Sequence, residues 1–123
     1  MVSNWLLVAF GGAAGAVLRF YLSETISSTG FPWATLSVNL VGSLLLGAVT
    51  AATLTNVLDE AGALLLGAGF LGAFTTMSTF SVETIALLEE GRWSVAGVYV
   101  VLSGLVCPLL AWIGWKSAES WLA

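Results

Sequence analysis

Charged side chains divide this chain into four long apolar stretches. None occurs over 1–18, 25–58, 61–82 or 93–115. The breaks are short: Arg19 and Glu24, then Asp59 and Glu60, then Glu83 to Arg92, then Lys116 and Glu119. A helix needs about 20 apolar residues to cross a hydrocarbon core, and each stretch meets or nearly meets that length. The pattern predicts an all-α integral membrane protein with helices near 4–22, 32–55, 61–88 and 94–115, forming one unit over 1–123. The first stretch is not expected to be a cleaved signal peptide. It lacks a basic leader, and its apolar character outlasts a short signal core.

Composition agrees with a bilayer as solvent. The chain is 59% hydrophobic and 8% charged, against about 25% charged for ordinary soluble domains. Net charge is −4, and Arg19, Arg92 and Lys116 are the sole cations. Four spans put Arg19 and Arg92 near one side of the membrane and Lys116, with the termini, near the other. So small a bias sets almost no preferred orientation. It is compatible with two copies inserted in opposite directions, and equally with a single weakly specified orientation. There is no histidine and one cysteine, Cys107, which excludes an intramolecular disulfide and leaves metal or general-base chemistry without its usual groups. No nucleophile–base set is present, so an enzyme is not expected. No basic patch or phosphate-binding glycine loop points to nucleic acid or nucleotide; the expected surroundings are membrane lipid.

Small residues recur within the spans. Gly11 and Gly15 form a GxxxG pair, and Ser43 and Gly47 are spaced alike; such positions let membrane helices approach closely. Trp5, Trp33, Trp93, Trp112, Trp115 and Trp121 fall near span ends, as interfacial aromatic residues do. Residues 27–32, Ser-Ser-Thr-Gly-Phe-Pro, read as a turn.

Polar residues deep in the spans carry the functional signal, because each needs a partner or a wet path. Thr35, Asn39 and Ser43 share one face of the second span, and Tyr99, Ser103 and Cys107 share one face of the fourth. The third carries Thr75-Thr76-Met77-Ser78-Thr79-Phe80, then Glu83, for which Arg19 or Arg92 is the expected ionic partner. Serine and threonine can also bond back to their own helix; the amide of Asn39, with two donors and an acceptor, is harder to satisfy that way. Gly67, Gly69 and Gly72 ahead of the Thr/Ser run weaken the third helix, and a break there would free carbonyls suited to a hard cation such as Na+. Pro108 frees the carbonyl of Gly104. The residues alone imply a bundle with a polar conduit, and they do not name the ion.

Three segments resemble the Fluc (CrcB) family of fluoride channels. Residues 11–20, GGAAGAVLRF, are similar to that family's GGxxGAxxRY pattern. Residues 32–43, PWATLSVNLVGS, are similar to its GTLxVNxxGS segment. Residues 69–83, GFLGAFTTMSTFSVE, are similar to GFxGGFTTFSTFSxE. The resemblance implies a passive fluoride pore in the plasma membrane, built as an antiparallel, dual-topology homodimer with two pathways. It implies a central structural Na+ held by the carbonyls of Gly72 and Thr75 from both copies. Asn39 would lie on the ion path, with Ser78, Thr79, Tyr99 and Ser103 as a polar track and Arg19 drawing the anion to a vestibule. The family presents two phenylalanine ring edges to fluoride; here those positions are Met77 and Phe80. Met77, and Ala34 where the family often has glycine, are departures. They leave open a heterodimer whose second chain supplies the missing ring. A small dual-topology multidrug exporter is the rival class, but it needs a carboxylate within the first span, and this chain has none there.

Overall fold

The computed structural model describes residues 2–122. Four helices run over Asn4–Thr25, Trp33–Leu54, Glu60–Glu89 and Trp93–Leu122, each long and apolar enough to cross a membrane. No strand occurs among the described residues. Starts are set by local side chains. The Ser3 hydroxyl accepts from the Trp5 N–H at 3.2 Å, and the Asp59 carboxylate accepts from the Gly62 N–H at 2.8 Å, filling donors that have no partner in the first turn. Between helices the chain turns at residues with positive φ, Gly30 at 83° and Gly91 at 75°, and at Asn56 at 60°.

The first three helices end within a few residues of the expected limits. The fourth continues past 115 to Leu122. Its charges do not stop it, because they pair along the helix: Glu119 accepts from Trp115 Nε1 at 3.0 Å and from Lys116 Nζ at 3.3 Å. Loss of apolar character marks where this helix leaves the lipid, not where it unwinds.

Packing is between alternate helices. The first lies against the early part of the third, and the second against the later part of the fourth, Cys107–Leu122. Small residues make both contacts possible. A side-chain carbon on Gly11 or Gly15 would collide with the backbone of Leu65 or Phe70. Across the other contact the arrangement is reciprocal: a carbon on Gly47 would strike the Ala111 carbonyl, and one on Gly114 the Leu44 carbonyl. In lipid no hydrophobic force pulls helices together, so this backbone proximity carries the association.

Enclosed apolar clusters are small. Leu36, Leu87, Ala96 and Tyr99 form one, and Val38, Leu71 and Phe74 another. Large apolar side chains including Trp5, Phe10, Phe20, Val82, Leu105 and Trp112 project outward, as a lipid-facing surface requires. Two stretches are wound more loosely than an α-helix. Ala63–Leu71 and Leu102–Val106 are π-helical, the second ending just before Pro108, whose missing N–H already disrupts the regular ladder.

The glycine contacts predict asymmetric mutational effects. Gly47→Ala is expected to destabilise the protein by about 1–3 kcal/mol through overpacking. Gly97→Ala, whose side chain would meet nothing within 4 Å, leaves stability unchanged or slightly raised. Unfolding in mixed micelles, compared between the two variants, checks this.

Candidate functional site

Within the third helix, Thr75 and Thr76 take extended backbone angles, φ −88° and ψ 156° for the former and φ −150° and ψ 116° for the latter. Helical winding resumes at Met77. In a continuous helix the Thr76 N–H would return to the Gly72 carbonyl, and the Thr79 N–H to that of Thr75. Both donors go elsewhere. The Thr76 N–H donates to Asn39 Oδ1 at 2.8 Å, and the Thr79 N–H to Thr76 Oγ1 at 3.2 Å. The carbonyls of Gly72 and Thr75 therefore lose their helical donors.

Two further carbonyls are captured by side chains from other helices. Asn39 Nδ2 donates to the Thr76 carbonyl at 3.1 Å, and Arg19 Nε donates to the Ala73 carbonyl at 3.0 Å. A single amide thus serves both backbone groups of Thr76. This is the use an amide side chain is built for, since it carries donor and acceptor on adjacent atoms. Asn39, expected on an ion path, holds the extended segment in place. Arg19, expected in a vestibule, does the same for Ala73 with one of its nitrogens.

The extended segment separates two cavities. One, of ≈ 220 Å³, is lined by Asn39, Ser43, Thr75, Met77, Phe80, Ser103 and Cys107 among others. The other, of ≈ 190 Å³, is lined by Arg19, Ser23, Thr35 and Thr79 among others. The first cavity gathers five of the expected site residues, the second two. Its most telling atom is Ser103 Oγ, shielded from solvent and without a hydrogen-bond partner. An unpaired buried hydroxyl is unfavourable unless water or a ligand completes it.

Tyr99 lies behind this cavity and does not line it. It is fully buried, its ring meets that of Phe80 edge-on at 4.9 Å between centroids and 64° between planes, and its hydroxyl donates to Glu83 Oε1 at 2.9 Å. Glu83 was expected to pair with an arginine, and the structure corrects this. Arg19 is turned to Ala73, while Arg92 bonds the Gly30 carbonyl and lies 3.7 Å from Glu90. Glu83 is satisfied by a neutral phenol on the neighbouring helix. Ser78 lines neither cavity; it is exposed, its hydroxyl 3.2 Å from that of Thr76. Gly72 is exposed, and Met77 is 73% exposed.

Thr76 is the residue that sequence reasoning missed. Its hydroxyl accepts the Thr79 N–H and donates to Thr79 Oγ1 at 3.1 Å, which makes it the cap of the Met77–Glu89 helix. The available signal was a threonine three residues ahead of a threonine at the start of a helical run.

Residues 6–115 match the family model described as "CrcB-like protein, Camphor Resistance (CrcB)". The chain is 47% identical over 117 residues to a protein of Shewanella frigidimarina named fluoride-specific ion channel FluC, covering 92% of this chain and 94% of that one. It is 46% identical over 111 residues to a protein of the same name from Magnetococcus marinus, covering 87% and 90%. It is 42% identical over 112 residues to another from Pseudoalteromonas translucida, covering 88% and 93%.

The clasp on Thr76 predicts a local response. Asn39→Ala leaves a backbone donor and acceptor unpaired, at about 1–3 kcal/mol for each. Amide hydrogen exchange at Thr76 is expected to speed up markedly, with exchange in the Trp33–Leu54 helix ends unchanged.

Proposed function

The chain belongs to the CrcB-like family of membrane proteins, and from that premise we propose that it is a passive, fluoride-selective channel of the plasma membrane. The observation that carries this reading is the ≈ 220 Å³ cavity lined by Phe80, Asn39 and Ser103 beside the extended segment. Fluoride is small and strongly hydrated, so a pore must replace its water with donors that release it again. Ser103 and Thr79 supply hydroxyl donors. Aromatic rings are electropositive at their edges, and Phe80 would offer such an edge to the ion. Arg19 supplies positive charge at the second cavity, where its remaining guanidinium donors can attract an anion.

Conduction here is downhill. The first span carries no carboxylate for proton exchange, and a membrane potential of 100 mV supplies about 2.3 kcal/mol per charge. A negative interior therefore expels the anion and limits its accumulation without coupling machinery. The family relation favours this pore over a multidrug exporter and over an enzyme.

The assembly we propose is an antiparallel, dual-topology homodimer in which the extended Thr75–Thr76 pair breaks the third helix near the bilayer centre. The exposed positions of Gly72 and Met77 on the protomer suit coverage by a second copy. The near balance of cations across the spans permits opposite insertion. A structural Na+ would be held by the Gly72 and Thr75 carbonyls of both copies. These fit the ion: both have lost their helical donors, and hard cations prefer oxygen ligands. Among the described residues no cluster of His, Cys, Asp or Glu could hold a metal, so backbone oxygen is the donor set. Bound there, Na+ would supply a fixed positive charge that joins the two copies.

Purified protein in liposomes is expected to release fluoride on addition of valinomycin and to retain chloride, as read with ion-selective electrodes. Release of both ions at equal rates would sink the selectivity claim. Absence of release from well-incorporated protein would point instead to a heterodimer lacking its second chain. Phe80→Ile is expected to slow fluoride release by roughly tenfold or more, about 1.4 kcal/mol of lost barrier stabilisation. Exhaustive replacement of Na+ by a large organic cation should abolish release, and restoring Na+ should recover it.

A further inference from the structure

We propose that Thr76 is the partition between two ion chambers inside one protomer, and that its side chain sets the rate at which fluoride passes from one to the other. The inference rests on the fluoride-channel reading above. Among the described residues, Thr76 alone lines both the Arg19 cavity and the Phe80 cavity. Their volumes, ≈ 190 and ≈ 220 Å³, each accommodate several waters at about 30 Å³ apiece. A hydrated anion drawn towards Arg19 thus reaches a chamber that ends at Thr76, and Ser103 lines the chamber beyond.

The backbone of Thr76 has little freedom to act as the gate. Asn39 holds its N–H at 2.8 Å and its carbonyl at 3.1 Å. What remains adjustable is the side chain. Its hydroxyl accepts the Thr79 N–H and donates to Thr79 Oγ1 at 3.1 Å. A hydroxyl proton is free to rotate, so that donation can be redirected to a passing anion while the Thr79 N–H bond persists. The γ-methyl beside it has no donor and, on this proposal, narrows the space between the chambers. Thr76 is thus a positioning cap and a donor at the same point.

Two substitutions separate these roles. Thr76→Ser keeps the hydroxyl and a cap at least as good as threonine, and removes only the methyl. Thr76→Val keeps the bulk and removes the donor. Valinomycin-dependent fluoride release is measured for both beside the unaltered protein, with monodispersity on a sizing column as the folding control. The partition role predicts that Thr76→Ser accelerates release by roughly twofold or more and Thr76→Val slows it by roughly tenfold, as widening a constriction and removing its donor should do. A purely capping role predicts that Thr76→Ser is silent. Release at the unaltered rate in Thr76→Ser overturns the proposal, and that variant decides the matter alone if Thr76→Val does not fold. If the unaltered protein releases no fluoride, the self-sufficient homodimeric channel fails and takes the partition with it. If it does release fluoride and Thr76→Ser matches it, only the partition is lost.

Discussion

A backbone amide group in hydrocarbon must find a partner within the protein, and the site described here follows from that requirement. Two extended residues, Thr75 and Thr76, interrupt the hydrogen-bond ladder of an otherwise helical span. Each group left unpaired in hydrocarbon would cost several kcal/mol. Asn39 and Arg19, from two different helices, take up three of them. The bare backbone contacts at Gly11 and Gly15 hold the first helix against the third, where Arg19 bonds Ala73, and Gly42 leaves room for Thr75 beside Asn39. Packing, capping and site geometry are therefore one problem with one solution.

The same constraint explains why the polar groups near the extended pair fall into two sets. Some are consumed in holding the backbone: the Asn39 amide, Arg19 Nε and the Thr76 hydroxyl towards Thr79. Others are left over: the Ser103 hydroxyl and the carbonyls of Gly72 and Thr75. Leftover groups are where a ligand has something to gain. An unpaired hydroxyl can donate to an anion, and unpaired carbonyls can coordinate a cation. The proposed fluoride and Na+ sites are thus complementary consequences of a single irregularity. Tyr99 supports them from behind by fixing the ring of Phe80 edge-on and anchoring its own hydroxyl on Glu83.

Much of the architecture was legible in the sequence because the bilayer imposes a coarse rule. Uncharged runs of the right length marked the four helices, and tryptophans marked their ends. The every-fourth-residue spacing of Thr35, Asn39 and Ser43 put the last two into one cavity and Thr35 into its neighbour. What was not legible depends on geometry between helices. Periodicity assigned Glu83 an arginine by charge and side of the membrane, whereas the nearer partner proved to be a neutral phenol on an adjacent helix. The stripe of Tyr99, Ser103 and Cys107 separated in depth: the ring is buried behind Phe80 and the two smaller residues reach the cavity. Spacing says which face a residue occupies and not how far its side chain extends. The role of Thr76 was hidden because the glycines and the Thr/Ser run marked a weakened helix without marking the residue at which winding resumes.

Selective passive conduction of fluoride is the claim on which the functional account stands. Its most direct test is the reversal potential of the purified protein in a planar bilayer, with a tenfold fluoride gradient across it and chloride equal on both sides. The account predicts current that reverses at the fluoride equilibrium potential, about 59 mV in magnitude for a monovalent ion. Reversal near zero would mean that chloride carries the current as well, and the fluoride-selective site proposed around Phe80, Asn39 and Ser103 would be contradicted.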